Sequence, residues 1–83
     1  MAGTTTISVS ASAYSTLATS GPCYVSPQDK IMVVASSAQP DPGTVGHTLI
    51  NLGGLPFYFA LAEKLWGISL STTGNNVAVV VTT

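Results

Sequence analysis

Charge is the scarcest commodity in this chain. Only Asp29, Lys30, Asp41, Glu63 and Lys64 carry it, arginine is absent, and the formal net charge is -1. A typical domain devotes about a quarter of its residues to charge. Binding to a phosphate backbone depends on clustered lysine and arginine, so no nucleic-acid partner is expected. A near-neutral surface also favours association, which points to a chain partly covered in a larger assembly.

Cysteine and histidine are nearly as scarce. Cys23 is the only cysteine and His47 the only histidine. One cysteine excludes an intramolecular disulfide. Together the two residues fall short of the four N or S ligands a structural zinc site takes. No apolar run reaches the length of about 18 residues that a membrane span needs, so no membrane partner is expected. The start, Met1-Ala2-Gly3-Thr4-Thr5-Thr6, has neither a basic nor an apolar leader segment; on that basis no signal peptide and assembly in the cytoplasm are expected. At 83 residues the chain forms one small domain, which buries only about 60% of the surface its unfolded chain exposes. With no disulfide and no metal, self-association is the route left to extra stability.

What is present is mostly the material of strands. Thr4 to Ala11 alternates, with Ile7, Val9 and Ala11 on one face and Thr6, Ser8 and Ser10 on the other, the pattern of a half-buried strand. Residues 1–13 therefore read as an N-terminal arm or edge strand beside a single β domain over 14–83. Tyr14 to Thr19 is a weaker strand, ended by the turn signal Ser20-Gly21-Pro22. Cys23-Tyr24-Val25 follows, stopped near Pro27, which belongs at a strand end or an edge. Ile31 to Ala35 is a continuous apolar run and reads as a strand covered on both faces. The stretch Ser36 to Gly46, with two prolines and two glycines, is a long loop of the kind that often carries function. His47 to Leu52 is a further strand closed by Gly53-Gly54. Asn76 to Thr83 is the last, entered through a hairpin turn at Thr73-Gly74-Asn75-Asn76.

The richest packing material lies between Leu55 and Ser71, which holds Phe57, Tyr58, Phe59 and Trp66. It reads as a hairpin reversing at Ala62-Glu63-Lys64, with Phe57 and Phe59 packing inward, Trp66 and Ile68 facing them, and Tyr58 on the opposite, exposed face. The rival is a short helix within 56–66, because Pro56, Ala60 to Leu65 and Gly67 suit a helix start, body and stop. The aromatic triplet and the alternation of Trp66, Ile68 and Leu70 favour strands. About seven short strands with turns between them define an all-β fold, a small antiparallel sandwich or barrel.

No catalytic motif accompanies this architecture. A general base needs a nucleophile and an orienting partner within hydrogen-bond reach; His47 could be matched with a serine and Asp29 or Asp41, but no nucleophile elbow is present. Cys23 has no basic neighbour to activate it and reads as a buried structural thiol. Asp41 alone falls far short of a calcium site, and Gly53-Gly54 lacks the spacing of a phosphate loop. No enzyme activity, cofactor or metal is expected. Tyr14, Tyr24, Tyr58 and Trp66 remain as candidates for a docking or sugar-stacking surface, with core packing the plainer reading for Trp66 and a subunit contact the natural place for an exposed Tyr58.

The threonine- and serine-rich start, Gly21-Pro22-Cys23-Tyr24-Val25, the proline-rich loop ending at Gly46-His47, Glu63-Lys64-Leu65-Trp66-Gly67 and the valine-rich end together resemble small β-structured virion proteins of tailed bacteriophages. Ala62 stands where a glycine is more usual before the Glu-Lys pair. The resemblance implies a non-enzymatic structural protein of the particle, a head decoration (cement) protein or a tail- or fibre-associated component. It would be an oligomer, expected as a trimer, and its partner the major capsid protein or another virion protein. Ile7 and Val9 of the arm, Pro40, Asp41 and Pro42 of the loop, and Tyr58 are the candidate contact residues. The alternative from another class is a carbohydrate-binding module using Tyr58, Trp66 or Tyr24.

Overall fold

The computed structural model describes residues 3–19, 21–51, 53, 55–61, 63–71 and 73–82. Among them lie eight strands: β1 (Thr4–Val9), β2 (Ser15–Ala18), β3 (Gly21–Pro27), β4 (Ile31–Ala35), β5 (His47–Leu49), β6 (Phe57–Leu61), β7 (Leu65–Ser69) and β8 (Val77–Thr82). The expected all-β class is the one observed. No helix occurs among the described residues, so none is long and apolar enough to cross a membrane. The helical alternative over 56–66 gives way to a strand from Phe57 to Leu61.

The strands form two antiparallel four-stranded sheets, ordered β1-β8-β3-β6 and β2-β7-β4-β5. Period-two alternation decides what each sheet turns inward. Val77, Val79 and Val81 of β8 and Cys23 and Val25 of β3 are buried, and with Val9 they supply the first sheet's half of the core. Ile31, Val33, Leu49 and Leu65 supply the second sheet's half. Phe57 and Phe59 pack against this cluster from the edge strand, while Tyr58 between them is exposed, as their spacing requires.

The connectivity differs from the sequence reading. The stretch from β6 to β7 is not a hairpin: β6 pairs with β3 in one sheet, whereas β7 pairs with β2 and β4 in the other. Glu63 and Lys64 thus belong to a crossing between layers, and Ala62 of the expected tip lies outside the described residues. The turn at Thr73-Gly74-Asn75-Asn76 is also a crossing. Gly74 takes φ +72 and its N–H donates to the Ser71 carbonyl at 3.0 Å, but the strands it joins are β7 and β8 of opposite sheets. Buried Ser69 ties this arch down: its hydroxyl donates to the Asn75 carbonyl at 2.7 Å and accepts from the Ser71 N–H at 3.2 Å. Only β4 and β5 are consecutive strands paired in one sheet. Leu52 and Gly54, read as the end and stop of a longer fifth strand, lie outside the described residues, as do Met1, Ala2 and Thr83.

A bulge in β2 between Thr16 and Ala18 turns the consecutive residues Leu17 and Ala18 both toward the core. Leu17 then fills the space above Gly67, where a Cβ would stand 2.8 Å from the Leu17 Cδ1.

Candidate interaction surface

The two sheets treat their outer faces differently, and the difference locates the candidate site. The second sheet is covered by its own chain. Register places Trp66 opposite Val34 and Ile68 opposite Met32, one residue out of phase with buried Ile31, Val33 and Leu65. These side chains therefore point outward, away from Phe57 and Phe59, which corrects the expectation that Trp66 and Ile68 face them across a shared core. The Ser36–Gly46 loop crosses over them, leaving Ile68 buried and Trp66, Val34 and Met32 half-buried. The Trp66 indole N–H donates to the Ser36 carbonyl at 2.9 Å, and the Ser36 N–H to the Lys64 carbonyl at 2.9 Å. Gln39 donates to the Tyr14 carbonyl at 2.8 Å, and the Tyr14 hydroxyl donates to the Thr44 carbonyl at 2.6 Å. The Gly46 N–H approaches the Met32 sulfur at 3.0 Å. That approach requires glycine, because a Cβ at position 46 would collide with the Val33 carbonyl and the Val34 side chain. Tyr14 and Ile68 are buried in this outer layer and do not belong to the main core cluster.

The first sheet's outer face is bare. It presents Thr4, Thr6 and Ser8 of β1, Ala78, Val80 and Thr82 of β8, Tyr24 and Ser26 of β3, and Tyr58 of β6. None is charged. All five charged residues sit in connections and are exposed there. Tyr24 and Tyr58 are direct cross-strand partners, 48% and 57% exposed, with ring centroids 5.2 Å apart and planes inclined by 55°. Beside them runs an open groove of about 430 Å³ lined by Tyr24, Ser26, Gln28, Pro56, Val80 and Thr82. Its wall chemistry is one aromatic ring, two aliphatic groups, two hydroxyls and an amide, with no ionisable acid or base except the phenol.

The residues expected to form a contact surface are not brought together. Tyr58 is on the bare face. Asp41 and Pro42 are exposed at the tip of the covering loop on the other side of the sandwich, where the Thr44 N–H closes a turn onto the Asp41 carbonyl at 2.9 Å, and Pro40 is half-buried beside them. Ile7 is half-buried at the sandwich edge. Val9 leaves the surface altogether: it is fully buried opposite Val77, because odd positions of β1 face the core. No sequence motif marks the groove residues Ser26, Gln28, Pro56, Val80 and Thr82. Alternation in β3 and β8 assigns three of them to an outer face, but only the pairing of those strands shows that they adjoin.

The chemically active residue types stand apart. Among the described residues no group of His, Cys, Asp and Glu is placed to hold a metal ion. His47 opens the short edge strand β5 and is exposed. Cys23 is fully buried in β3, and burial pushes its thiol pKa up from the ordinary 9.0. The thiol thus stays protonated and sheltered at neutral pH.

No protein-family model matches this chain, and no curated protein and no solved structure matches it significantly.

Proposed function

We propose that this chain is a non-enzymatic structural protein of a tailed-bacteriophage virion, a decoration protein that binds the outer surface of the head and stabilises the shell. The observation that carries the proposal is the bare outer face of the first sheet: without charge, and bearing two exposed tyrosines in contact. Tyrosine is enriched and charge depleted at the centre of protein interfaces. Such a face suits docking onto a protein shell better than capture of an ionic ligand. Each copy would bury a modest area, and the many copies on one particle would raise its stability without any single tight contact. The partner is the major capsid protein, and the location is the virion. Quantifying this chain against the shell protein in purified particles tests the proposal. A copy number close to that of the shell protein is expected; a handful of copies would move the chain to the tail or fibres.

A second reading has its own observation. Tyr24 offers a ring for stacking on the apolar face of a neutral sugar, and Ser26, Gln28 and Thr82 in the same groove offer uncharged donors and acceptors. Trp66 takes no part, being held under the loop by its bond to Ser36. Glycan-array binding that disappears in a folded Tyr24→Ala variant, together with absence of the chain from virions, would favour this reading over the first.

A further inference from the structure

The two sheets have four edges, and two are blunted within the strand. β5 has three residues, and β2 has four and is bulged. The β6 edge runs five residues in register with β3, and Pro56 bounds it directly before the strand. Such short strands, bulges and prolines are the devices that keep sheet edges from pairing with another chain. β1 has none of them. It runs for six residues in unbroken register with β8, without proline, charge or bulge.

The direction in which β1 presents its backbone follows from the ladder. The Gln28 N–H donates to the Ala78 carbonyl at 2.9 Å, so Gln28 and Ala78 form a hydrogen-bonded pair. Ala78, Val80 and Thr82 therefore turn their backbone groups toward β3, since hydrogen-bonded and non-bonded pairs alternate. Val77, Val79 and Val81 turn theirs toward β1, where they meet Val9, Ile7 and Thr5. The N–H and C=O groups of Thr4, Thr6 and Ser8 point outward along the edge, where no strand among the described residues pairs with them. By the same alternation position 56 is an outward-pointing position of the β6 edge, and there proline removes the donor.

We infer that this edge pairs with the same edge of a second copy, antiparallel about a twofold axis at Thr6. In that register Thr6 meets Thr6 of the second copy, and Thr4 meets Ser8 of the second copy on either side of the axis. All three outward positions of each strand then find partners. Thr5 and Ile7 meet across the axis on the inner face, covering the exposed flank of half-buried Ile7. The near-neutral edge offers no repulsion to the match. The first sheets of the two copies fuse into one eight-stranded sheet, β6-β3-β8-β1-β1-β8-β3-β6, which carries both tyrosine pairs on a single face. Such an isologous contact is closed. It makes a dimer rather than the trimer expected from the resemblance, and it does not depend on the virion reading.

Sedimentation equilibrium over a wide concentration range tests the inference. The wild-type chain is expected at twice its 8.4 kDa mass. Thr6→Pro removes a donor that serves the free edge and not the β8 ladder, and Thr6→Lys sets two ammonium groups against each other at the axis. Each is expected to give a folded monomer, and Thr6→Lys decides the matter if the proline variant does not fold. Ala60→Lys, exposed on the outer face at the far edge, is expected to remain dimeric. A monomeric or trimeric wild type, a dimeric Thr6→Lys variant, or dissociation by Ala60→Lys would each overturn the inference.

Discussion

Tyr24 and Tyr58 stand opposite each other on β3 and β6, their ring centroids 5.2 Å apart, on a face from which every charged residue is absent. An aromatic pair of this kind contributes about 0.5–1.5 kcal/mol beyond the area it buries. Roughly half of each ring is in water, so the stabilising effect lies at the low end. Each substitution to serine also re-exposes the buried half of its ring, so Tyr24→Ser and Tyr58→Ser are each expected to lower unfolding stability by about 1–2 kcal/mol, read from urea denaturation followed by circular dichroism. A larger loss would mean that the pair is part of the core.

Trp66 behaves differently although it belongs to the same aromatic-rich stretch. Its indole N–H is bonded to the Ser36 carbonyl at 2.9 Å, holding the start of the covering loop. Trp66→Phe keeps most of the packing and deletes the donor, at an expected cost of about 1 kcal/mol. Protease cleavage within Ser36–Gly46 should become faster in this variant, and unchanged cleavage would count against a fastening role.

The close approach at Gly46 should be the least forgiving. A Cβ there meets backbone, the Val33 carbonyl, whereas one at Gly67 meets the end of the Leu17 side chain, and Gly3 has open space. Overpacking costs about 1–3 kcal/mol in general. Denaturation midpoints should therefore fall most for Gly46→Ala, less for Gly67→Ala, and hardly at all for Gly3→Ala.

Burial raises the pKa of Cys23 above 9.0 and that of Tyr14 above 10.0. In each case the unfolded chain releases the proton first as pH rises. The stability these groups contribute is complete below their unfolded values and is lost as pH climbs toward the folded ones. Unfolding free energy is expected to be level between pH 7 and 8 and to fall from about pH 9 upward. Cys23→Ala should delay the onset of that fall to the tyrosine range.

The strands themselves were legible in the sequence. Alternation in Thr4–Val9 and Val77–Thr82 reports their inner faces, and Phe57-Tyr58-Phe59 places two rings inward and one outward. Strand pairing was not legible. Gly74 with positive φ suits a hairpin and a sheet-to-sheet arch equally, and Glu63-Lys64 is a wet turn in both, so local chemistry cannot choose between them. The face of Trp66 was hidden for another reason. The loop buries the outer side of β7 almost as well as the core buries its inner side, and Leu65, Gly67, Ile68 and Ser69 are all buried. The alternation of Trp66, Ile68 and Leu70 marks one face of the strand, but where both faces are covered it does not say which of them meets the core. The groove stayed hidden because its walls come from β3, β8 and Pro56, far apart in the chain.

The central claim is that the bare face of the first sheet docks on a phage head. Its most direct measurement is co-sedimentation of the purified chain with heads that lack it, comparing wild type with a folded Tyr24→Ser/Tyr58→Ser double variant. Wild type is expected to bind to saturation at a copy number near that of the shell protein, and the double variant to remain in the supernatant. Failure of the wild type to bind, or equal binding by the double variant, would contradict the account.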